Sequence, residues 1–318
     1  MPIQDFVSIT DHLKEYSIES RILGDYLIPN LSDKTTILLV WHKIINSDFL
    51  QKYPNIRAIV RYGVGVDNID LEKCRELGIN VYNTPDYGVD EVSDTAISMA
   101  LSLARRVKQL EIFAIKNRDA WTGAKIPFSM KRINNMNIGI IGLGRIGGAF
   151  ARKMKVFSSK ISFFDPYIPS GIEKTFNIRR FDNLNDLLEN SDIVSVHTPL
   201  NNQTKGVINK DFINKMKKGS ILINVSRGPI VKDNKYILKA LQNNSLSGYG
   251  TDVFVDEPPN LNDELYQLWL KKDQITEKVI INPHTSYFSE EAIKECREKA
   301  TLNVLNIIKD KNVKNKII

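Results

Sequence analysis

The sequence predicts an α/β fold made of two doubly wound parallel sheets. Short β-rich runs alternate with amphipathic helical runs along most of the chain, which is the order expected of parallel βαβ units. Several of the β-rich runs are apolar almost throughout, as strands covered on both faces should be. A length of 318 residues suits two domains of ordinary size.

The first alternation occupies the N-terminal third of the chain. Its predicted strands are Ile37–Trp41, Ile56–Arg61 and Asn80–Tyr82, and its predicted helices are Ser47–Lys52 and Asp70–Leu77. A longer helix is predicted from about Asp90 to Asn117, because apolar residues recur there at helical spacing. At 1.5 Å per residue, this helix of about 40 Å would be long enough to join two domains.

The second alternation follows an irregular segment, Trp121–Asn135. Its predicted strands are Asn137–Ile141, Lys160–Phe164, Ile193–His197, Ser220–Val225, Gly248–Val253 and Lys278–Asn282. A last helix is predicted over about Ser289–Ile308.

Composition and charge indicate a globular protein, with 42% hydrophobic and 25% charged residues. The formal net charge is +7, but the basic residues form no stripe interleaved with aromatics, so no nucleic-acid partner is expected. A positive bias would instead help to draw in anionic substrates. Met1–Thr10 lacks the regions of a secretory signal, and Cys74 and Cys296 form no CxxC motif. No apolar run approaches the ~18 residues needed to span a bilayer, so we expect a cytoplasmic protein with no membrane partner.

The strongest local signal is a glycine-rich turn, Gly142-Leu-Gly144-Arg145-Ile146-Gly147. It follows an apolar strand, opens a helix predicted over Arg145–Phe157 and precedes Asp165 by about 20 residues. This is the context required of a dinucleotide-binding (Rossmann) fingerprint.

Each part of this fingerprint has a physical role. The first glycine permits the tight turn, the second lets the backbone approach a pyrophosphate, and the third lets the helix pack closely on the sheet. The helix N-terminus would bind the phosphates, and Asp165 would accept hydrogen bonds from the adenosine ribose, which favours NAD over NADP. On the fingerprint alone, FAD, S-adenosylmethionine or a glycine-rich turn without a ligand stay possible.

Three later residues are suited to acid–base chemistry on a carbonyl group: Arg227, Glu257 and His284. Each lies just past the end of a predicted strand, where open parallel sheets bind ligands. A histidine can supply the proton that reduction of a 2-oxo acid requires, and a carboxylate beside it would orient it. An arginine can bind the substrate carboxylate through paired N–H groups. Each residue alone is also typical of a solvated loop charge.

The other histidines and the metal-ligating residue types suggest no second site. His12 and His197 are interpreted as structural, whereas His42 follows a strand end that could reach a cleft. The sequence has no cluster of ligands at metal-binding spacing, so no metal is expected.

With these motifs in view, the sequence resembles the D-isomer-specific 2-hydroxyacid dehydrogenases over nearly its whole length. The matching stretches are Arg61–Asp70, Asn83–Pro85, Ile140–Gly147, Phe164–Tyr167, His197–Leu200, Asn224–Gly228, Thr251–Phe254, Glu257–Pro258 and Pro283–His284.

The resemblance implies a Rossmann cofactor domain inserted in a discontinuous, flavodoxin-like substrate domain. The substrate-binding domain would comprise residues 1–107 and 286–318, and the NAD-binding domain residues 108–285. Members of this family use NAD to interconvert a D-2-hydroxy acid and its 2-oxo acid, and they are usually homodimers that pair through the cofactor domain.

The resemblance also implies residue roles. Arg227 would anchor the substrate, His284 would be the general acid in reduction and the base in oxidation, and Glu257 would be its partner. The implied substrate-binding residues are Gly63, Val64, Gly65, Arg227 and Tyr287. The implied cofactor-binding residues are Gly142, Gly144, Arg145, Ile146, Gly147, Asp165, Thr198, Pro199, Ser226 and Asp252, with Asp252 holding the nicotinamide carboxamide.

Finer similarity, in Asp165–Ile172 and Ser286–Glu291, points to the C-terminal-binding-protein branch, in which a tryptophan takes the place of Tyr287. Animal members of that branch act as transcriptional corepressors, so the alternative function is an NAD(H)-responsive dimeric binding module. Val64 is apolar where phosphite-oxidising relatives carry lysine, and Glu257 replaces the glutamine of formate dehydrogenases. Neither of those activities is expected.

Overall fold

The structure is a computed structural model that describes residues 36–117, 119, 121, 126, 128–272, 274–309 and 311–318. The chain divides into two compact units. The first unit contains the described residues up to Gly88 together with Phe288–Ile318, and the second is the uninterrupted stretch Val89–Tyr287.

The secondary structure alternates strands and helices in both units. The strands are β1 (Ile37–Val40), β2 (Ala58–Arg61), β3 (Asn80–Tyr82), β4 (Ile138–Ile141), β5 (Ile161–Phe164), β6 (Arg179–Arg180), β7 (Ile193–Val196), β8 (Ser220–Asn224), β9 (Leu246–Thr251) and β10 (Val279–Ile281). The α-helices are α1 (Ser47–Lys52), α2 (Leu71–Glu76), α3 (Val89–Ala104), α4 (Val107–Lys116), α5 (Arg145–Met154), α6 (Ile172–Phe176), α7 (Leu184–Asn190), α8 (Lys210–Lys215), α9 (Asn234–Gln242), α10 (Glu264–Leu270) and α11 (Glu290–Ile308). Short 3₁₀ helices span Ile133–Asn135, Gly228–Ile230 and Gln274–Lys278.

In its described residues, the first unit contains a parallel sheet with the strand order β1-β2-β3. The side chains of Asn46 and Asp70 cap α1 and α2, accepting hydrogen bonds from backbone N–H groups of the first turn. Leu50, Ile59 and Val81 are completely buried and form part of its core. The flavodoxin-like topology of this unit stays a prediction.

The second unit contains a seven-stranded parallel sheet with the order β10-β9-β8-β7-β4-β5-β6. From β4 the chain adds strands outwards to β6, and it then returns to β7 and adds strands in the other direction. The direction of winding therefore reverses between β4 and β7. Sheets of this kind bind ligands beyond the carboxyl ends of the strands, at the point of reversal. The α/β fold class predicted from the sequence is confirmed.

Helix α3 belongs to the second unit because it packs on this sheet. It contacts β8, β9 and α5. At Gly250 in β9, an added Cβ would come within 3.0 Å of the Met99 Cβ, so the glycine gives the helix room to approach. The boundary between the units thus lies before α3, whereas the boundary predicted from the sequence follows residue 107.

The single long helix predicted from Asp90 to Asn117 is wrong, because it is broken between α3 and α4. Arg106 adopts the left-handed conformation, with φ 52° and ψ 36°. Its guanidinium donates a hydrogen bond to Gln109 Oε1 at 2.9 Å and lies 4.8 Å from the ring centre of Phe128. These contacts help to hold a conformation that is uncommon for residues other than glycine.

The other predicted helices and strands are present, with ends that differ by up to three residues. Strand β6, of two residues, was not predicted. Cys74 and Cys296 are buried and are not joined in a disulfide. Met1–Thr10 and His12 lie outside the described residues, as does part of the segment Trp121–Asn135.

Candidate active site

The predicted dinucleotide turn connects β4 to α5, beside the point where the winding of the sheet reverses. Gly142 has a φ of 87°, which favours glycine, and an added Cβ would lie 2.9 Å from the backbone oxygen of His197. An added Cβ at Gly147 would overlap the backbone oxygen of Gly142. These two glycines are therefore required by the packing of the turn itself.

Gly144 differs from its two neighbours in the motif because an added Cβ there would meet no protein atom within 4 Å. Gly144 is also the N-cap of α5, and no side chain caps this helix end. The turn therefore has open space beside unpaired backbone N–H groups and the positive end of a helix dipole. This arrangement fits the pyrophosphate of a dinucleotide. Arg145 is exposed and Ile146 half-buried at the same helix end.

Asp165 follows β5 and is bound to the glycine-rich turn. Its Oδ2 accepts a hydrogen bond from the N–H of Leu143 at 2.9 Å, and its Oδ1 accepts one from the N–H of Tyr167 at 3.0 Å. The carboxylate thus has a defined orientation beside the turn. Each oxygen has a further lone pair that can accept from a ribose hydroxyl.

The loop after β7 lies against the same turn. The buried Oγ1 of Thr198 has no hydrogen-bond partner among the described residues, and its Cγ2 would be 3.0 Å from a Cβ at Gly142. A bound ligand can satisfy such an orphaned hydroxyl. Pro199 accepts a hydrogen bond from Thr204 Oγ1 at 2.6 Å, which holds the loop. Ser226, after β8, donates from its Oγ to the backbone oxygen of Val196 at 2.7 Å.

His197 lies behind the glycine-rich turn, in line with its interpretation as a structural residue. Its Nε2 is 2.9 Å from Ser195 Oγ, its ring centre is 5.1 Å from that of Phe150, and its Nδ1 is buried. Burial lowers the pKa of His197 to about 3, so the ring stays neutral under physiological conditions.

Arg227, Glu257 and His284 follow three strands that are neighbours in the sheet: β8, β9 and β10. Because the strands are parallel, their carboxyl ends meet at one edge, and the three loops lie side by side. The structure thus brings together the three residues that the sequence singled out.

His284 and Glu257 form a direct hydrogen-bonded pair, with 2.7 Å between Nδ1 and Oε2. The other carboxylate oxygen, Oε1, accepts a hydrogen bond from the N–H of Phe254 at 2.9 Å. Burial alone would raise the pKa of Glu257, but the hydrogen bond and charge of His284, the Phe254 N–H and the charge of Arg227 outweigh it and lower the pKa. Glu257 is therefore a carboxylate at neutral pH. Its peptide bond to Pro258 is cis.

The loop of Arg227 packs directly on the loop that carries Glu257. An added Cβ at Gly228 would overlap the backbone oxygen of Phe254, so only glycine fits there. The side chain of Asn224 donates to the Arg227 backbone oxygen at 3.2 Å, and Arg227 Nη1 donates to the backbone oxygen of Ser226 at 2.8 Å. The positive charge of the guanidinium acts on the Glu257 carboxylate, whose pKa it helps to lower.

Asp252, at the end of β9, organises the loop that carries His284. Its Oδ1 accepts hydrogen bonds from the N–H groups of Thr285 and Ser286, at 2.9 and 3.1 Å. The His284 N–H donates to the Asp252 backbone oxygen at 2.7 Å, and His284 has a positive φ of 55°. Burial raises the pKa of Asp252 against the lowering effect of these hydrogen bonds. Tyr287, which follows Ser286 in this loop, is partly buried against the core of the second unit.

In the first unit, the turn Gly63-Val64-Gly65 follows β2 and is held by the end of β3. Thr84 Oγ1 accepts a hydrogen bond from the Gly63 N–H at 2.6 Å, and the Asn83 side chain donates to the Val64 backbone oxygen at 2.7 Å. The Gly63 N–H thus already donates to Thr84. Among the described residues, the N–H groups of Val64 and Gly65 donate to no protein acceptor. Asn83–Pro85 is one of the stretches that resemble the family, but the sequence alone predicts no role for it.

Comparisons with known proteins identify the family of the chain. The family model for the NAD-binding domain of D-isomer-specific 2-hydroxyacid dehydrogenases matches residues 97–286. A glyoxylate reductase of Thermofilum pendens is 32% identical over 89% of this chain and 81% of that protein. A D-3-phosphoglycerate dehydrogenase of Methanocaldococcus jannaschii is 30% identical over 92% of this chain but only 53% of that protein, so the chain spans about half of its length.

A solved structure extends the comparison to the fold. The D-lactate dehydrogenase of Aquifex aeolicus, complexed with NAD and lactic acid, aligns over 98% of this chain and 94% of that one, with a TM-score of 0.83 and 27% identity. Together with the match of the family model to more than half of the chain, these relatives show that the chain belongs to the D-isomer-specific 2-hydroxyacid dehydrogenases, NAD-dependent oxidoreductases that interconvert D-2-hydroxy acids and 2-oxo acids.

Proposed function

We propose that the chain reduces a small 2-oxo acid to its D-2-hydroxy acid, and catalyses the reverse oxidation, with His284 as the acid–base group. Glu257 is the partner of His284, and Arg227 anchors the substrate. The observation that carries this proposal is the 2.7 Å hydrogen bond between His284 Nδ1 and Glu257 Oε2.

This hydrogen bond defines which ring nitrogen of His284 acts. With Nδ1–H donating to the carboxylate, Nε2 is the atom that exchanges a proton with the substrate. The His284 side chain is 33% exposed, so a substrate can reach it. During reduction Nε2–H donates its proton to the 2-oxo oxygen, and Glu257 stabilises the imidazolium from which it leaves. During oxidation Nε2 takes the proton back from the hydroxyl.

Arg227 completes the chemistry at the carbonyl. Its planar guanidinium can bind the substrate carboxylate or 2-oxo oxygen through paired N–H groups and stabilise the negative charge that develops on that oxygen. NADH supplies the hydride that C2 of the substrate receives. The N–H groups of Val64 and Gly65 bind the substrate carboxylate in this proposal, and Tyr287 shapes the space for the rest of the substrate.

The cofactor is held by the turn and loops at the reversal of the sheet. Gly142, Gly144 and Gly147, with Arg145 and Ile146, surround the pyrophosphate, and Asp165 binds the adenosine ribose. Thr198 and Pro199 lie under the adenosine side. We assign Ser226 and Asp252 to the nicotinamide end, with Asp252 as the acceptor for its carboxamide. The open space at Gly144 and the unpaired Thr198 hydroxyl support these roles.

The test is a panel of 2-oxo acids, from glyoxylate and pyruvate to hydroxypyruvate and longer chains, with NADH consumption followed by absorbance. Small acids come first because the relatives compared above act on glyoxylate and lactic acid by name. Chiral chromatography of the product tests the D configuration, and His284→Gln is the matched inactive control. An inert wild type that still binds NADH would contradict the proposal.

We further propose that the chain forms a homodimer through its second unit. Two large apolar side chains of α4 are exposed, Val107 at 55% and Ile115 at 78%. Burial of these side chains against a second copy of the chain would contribute hydrophobic stabilisation to the dimer. Ile115→Lys should yield monomers in light scattering coupled to size exclusion, whereas Ile44→Lys, at an exposed site of the first unit, should not. A monomeric wild type would contradict the proposal.

The alternative of an NAD(H)-responsive binding module is not favoured, because the relatives compared above are named as enzymes. Among the described residues, no helix combines the length and the apolar character needed to cross a membrane. The cytoplasmic location, the C-terminal-binding-protein branch and the absence of a nucleic-acid partner stay predictions from the sequence.

A further inference from the structure

One arginine outside the sites described above contacts the loop that begins at Asp165. Arg180, in the two-residue strand β6, donates from Nη2 to the backbone oxygen of Pro169 at 2.8 Å and from Nη1 to that of Ile168 at 3.1 Å. A longer contact of 3.4 Å joins Nη1 to the backbone oxygen of Asp165. A single guanidinium thus binds three carbonyl groups of loop 165–171.

Arg180 is itself held in place. Its Nε donates to Glu173 Oε2 at 3.1 Å, and its guanidinium carbon lies 4.9 Å from the ring centre of Phe163. Glu173 Oε1 accepts a hydrogen bond from the N–H of Gly171 at 3.0 Å, so the acid fastens the far end of the same loop. The Arg180 side chain is 18% exposed, and its hydrogen bonds to Glu173 and to the Ile168 backbone oxygen are partly buried.

The path of this loop determines where the Asp165 carboxylate points. One carboxylate oxygen accepts from Tyr167 within the loop, and the other accepts from Leu143 in the glycine-rich turn. If the loop moved, Asp165 would have to give up one of these two hydrogen bonds. By holding this loop, Arg180 therefore also holds the orientation of the Asp165 carboxylate.

We infer that Arg180 and Glu173 are positioning residues for the cofactor: they hold loop 165–171 so that Asp165 faces the adenosine ribose, and they thereby set the preference for NAD over NADP. The inference rests on the proposed role of Asp165 as the ribose-binding acid. A fixed carboxylate accepts hydrogen bonds from two ribose hydroxyls and repels a 2′-phosphate. A carboxylate that is free to turn binds the ribose more weakly and repels the phosphate less.

The chain offers a matched control in the neighbouring residue of β6. Arg179 carries the same charge, but its guanidinium lies over the ring of Phe181, at 4.3 Å from the ring centre. Arg180→Ala and Arg179→Ala therefore remove the same charge from adjacent positions. Arg180→Lys keeps the charge but lacks the planar guanidinium, whereas Glu173→Gln removes the charge of the partner and one of its two accepting oxygens.

The experiment measures the Kd for NADH and for NADPH by fluorescence without substrate, and then kcat and KM for both cofactors. Arg180→Ala should raise the Kd and KM for NADH about tenfold, equivalent to about 1.4 kcal/mol, with kcat at saturating NADH changed less than about twofold. The NADH-to-NADPH ratio of kcat/KM should fall. Arg180→Lys and Glu173→Gln should show smaller shifts, and Arg179→Ala should match the wild type.

The inference is overturned if Arg179→Ala shifts cofactor preference as much as Arg180→Ala. It is equally overturned if Arg180→Ala lowers only thermal stability or kcat and leaves the NADH-to-NADPH ratio unchanged. If Arg180→Ala does not fold, the NADH-to-NADPH ratio of kcat/KM in Glu173→Gln tests the inference instead. An unchanged ratio in that variant would overturn it. A wild type that binds NADH but is inert with every 2-oxo acid would instead contradict the proposed function, and the binding measurements would still test the positioning role.

Discussion

The Nδ1 atom of His284 lies 2.7 Å from the Oε2 atom of Glu257, although the two residues belong to loops that follow different strands. Glu257 cannot turn away without losing its second hydrogen bond, from the Phe254 N–H at 2.9 Å. The imidazole therefore has a defined orientation before any substrate binds, which is the geometry that efficient proton transfer requires.

Replacement of His284 by glutamine should reduce kcat roughly 10²–10⁴-fold, because an amide has no proton to exchange at neutral pH. The Kd for NADH should stay within about twofold of the wild type, since the proposed cofactor contacts are untouched. Glu257→Gln should cause a smaller loss, because the amide keeps the shape but not the charge that stabilises the imidazolium. Steady-state kinetics and NADH fluorescence titration measure both effects. A near-normal kcat/KM in His284→Gln would disprove the assigned role.

Arg227→Ala should lower kcat/KM for the 2-oxo acid roughly 10²–10³-fold, as expected when a donor to a developing negative charge is removed. Arg227→Lys should recover only part of this loss, because an ammonium cannot bind a carboxylate through two parallel N–H groups. NADH binding without substrate is the control and should be unchanged. Equal activity of the Lys variant and the wild type would show that the paired geometry is not used.

Two glycine-to-alanine substitutions should separate cofactor binding from stability. Gly144→Ala meets no protein atom within 4 Å, so the melting temperature should be unchanged while NADH binds more weakly. Gly228→Ala would overlap the Phe254 backbone oxygen, so it should destabilise the protein by about 3 kcal/mol or more and lower kcat. Thermal unfolding and fluorescence titration of both variants test this. Unchanged NADH affinity in Gly144→Ala would argue against a pyrophosphate at this turn.

Thr84→Val should raise the KM for the 2-oxo acid without changing NADH binding. The substitution keeps the shape but removes the oxygen that accepts the Gly63 N–H at 2.6 Å, so the turn that presents Val64 and Gly65 loses its support. Thr84→Ser keeps the oxygen and should behave like the wild type. Equal KM values for Thr84→Val and Thr84→Ser would show that the Thr84 oxygen does not support substrate binding.

His197 should contribute to the loss of stability in acid. Burial lowers its pKa from 6.5 to about 3, so below pH 6.5 the unfolded chain binds a proton that the folded protein does not. The free energy of unfolding therefore falls as the pH drops through this window, by about 2 kcal/mol between pH 7 and pH 5 from this residue.

The test for His197 is denaturation by urea at both pH values, for the wild type and for His197→Gln. The variant will be less stable at pH 7, because it loses packing against Phe150, but it should lose less stability than the wild type on acidification. The same pH-dependent loss in both proteins would show that other groups account for it.

The sequence could predict most of the sheet and the three catalytic candidates for a simple reason. Strands buried on both faces are apolar runs, and a parallel sheet places whatever follows those runs at one edge. The sequence alone therefore predicts that Arg227, Glu257 and His284 meet. Their pairing could not be predicted, because which carboxylate oxygen faces which ring nitrogen depends on loop geometry.

Other features lay beyond sequence patterns because they depend on contacts between distant parts of the chain. The break at Arg106 leaves the apolar spacing of the helices intact, so periodicity did not reveal it. Strand β6 has only two residues and no apolar run. The hydrogen bond from the Gly63 N–H to Thr84 depends on the pairing of β2 with β3, which brings these two loops together.

The stretch Val89–Tyr287 is continuous, and it contains the glycine-rich turn together with Arg227, Glu257 and His284. A single gene segment thus encodes the proposed redox machinery, while the residues proposed to cradle the substrate carboxylate are encoded in a flanking segment. Recombination at the ends of this segment can exchange the substrate cradle and keep the reaction. Chimeras built in this way would retain Arg227 and Tyr287 and would show how far the flanking segment alone sets the preference for one acid over another.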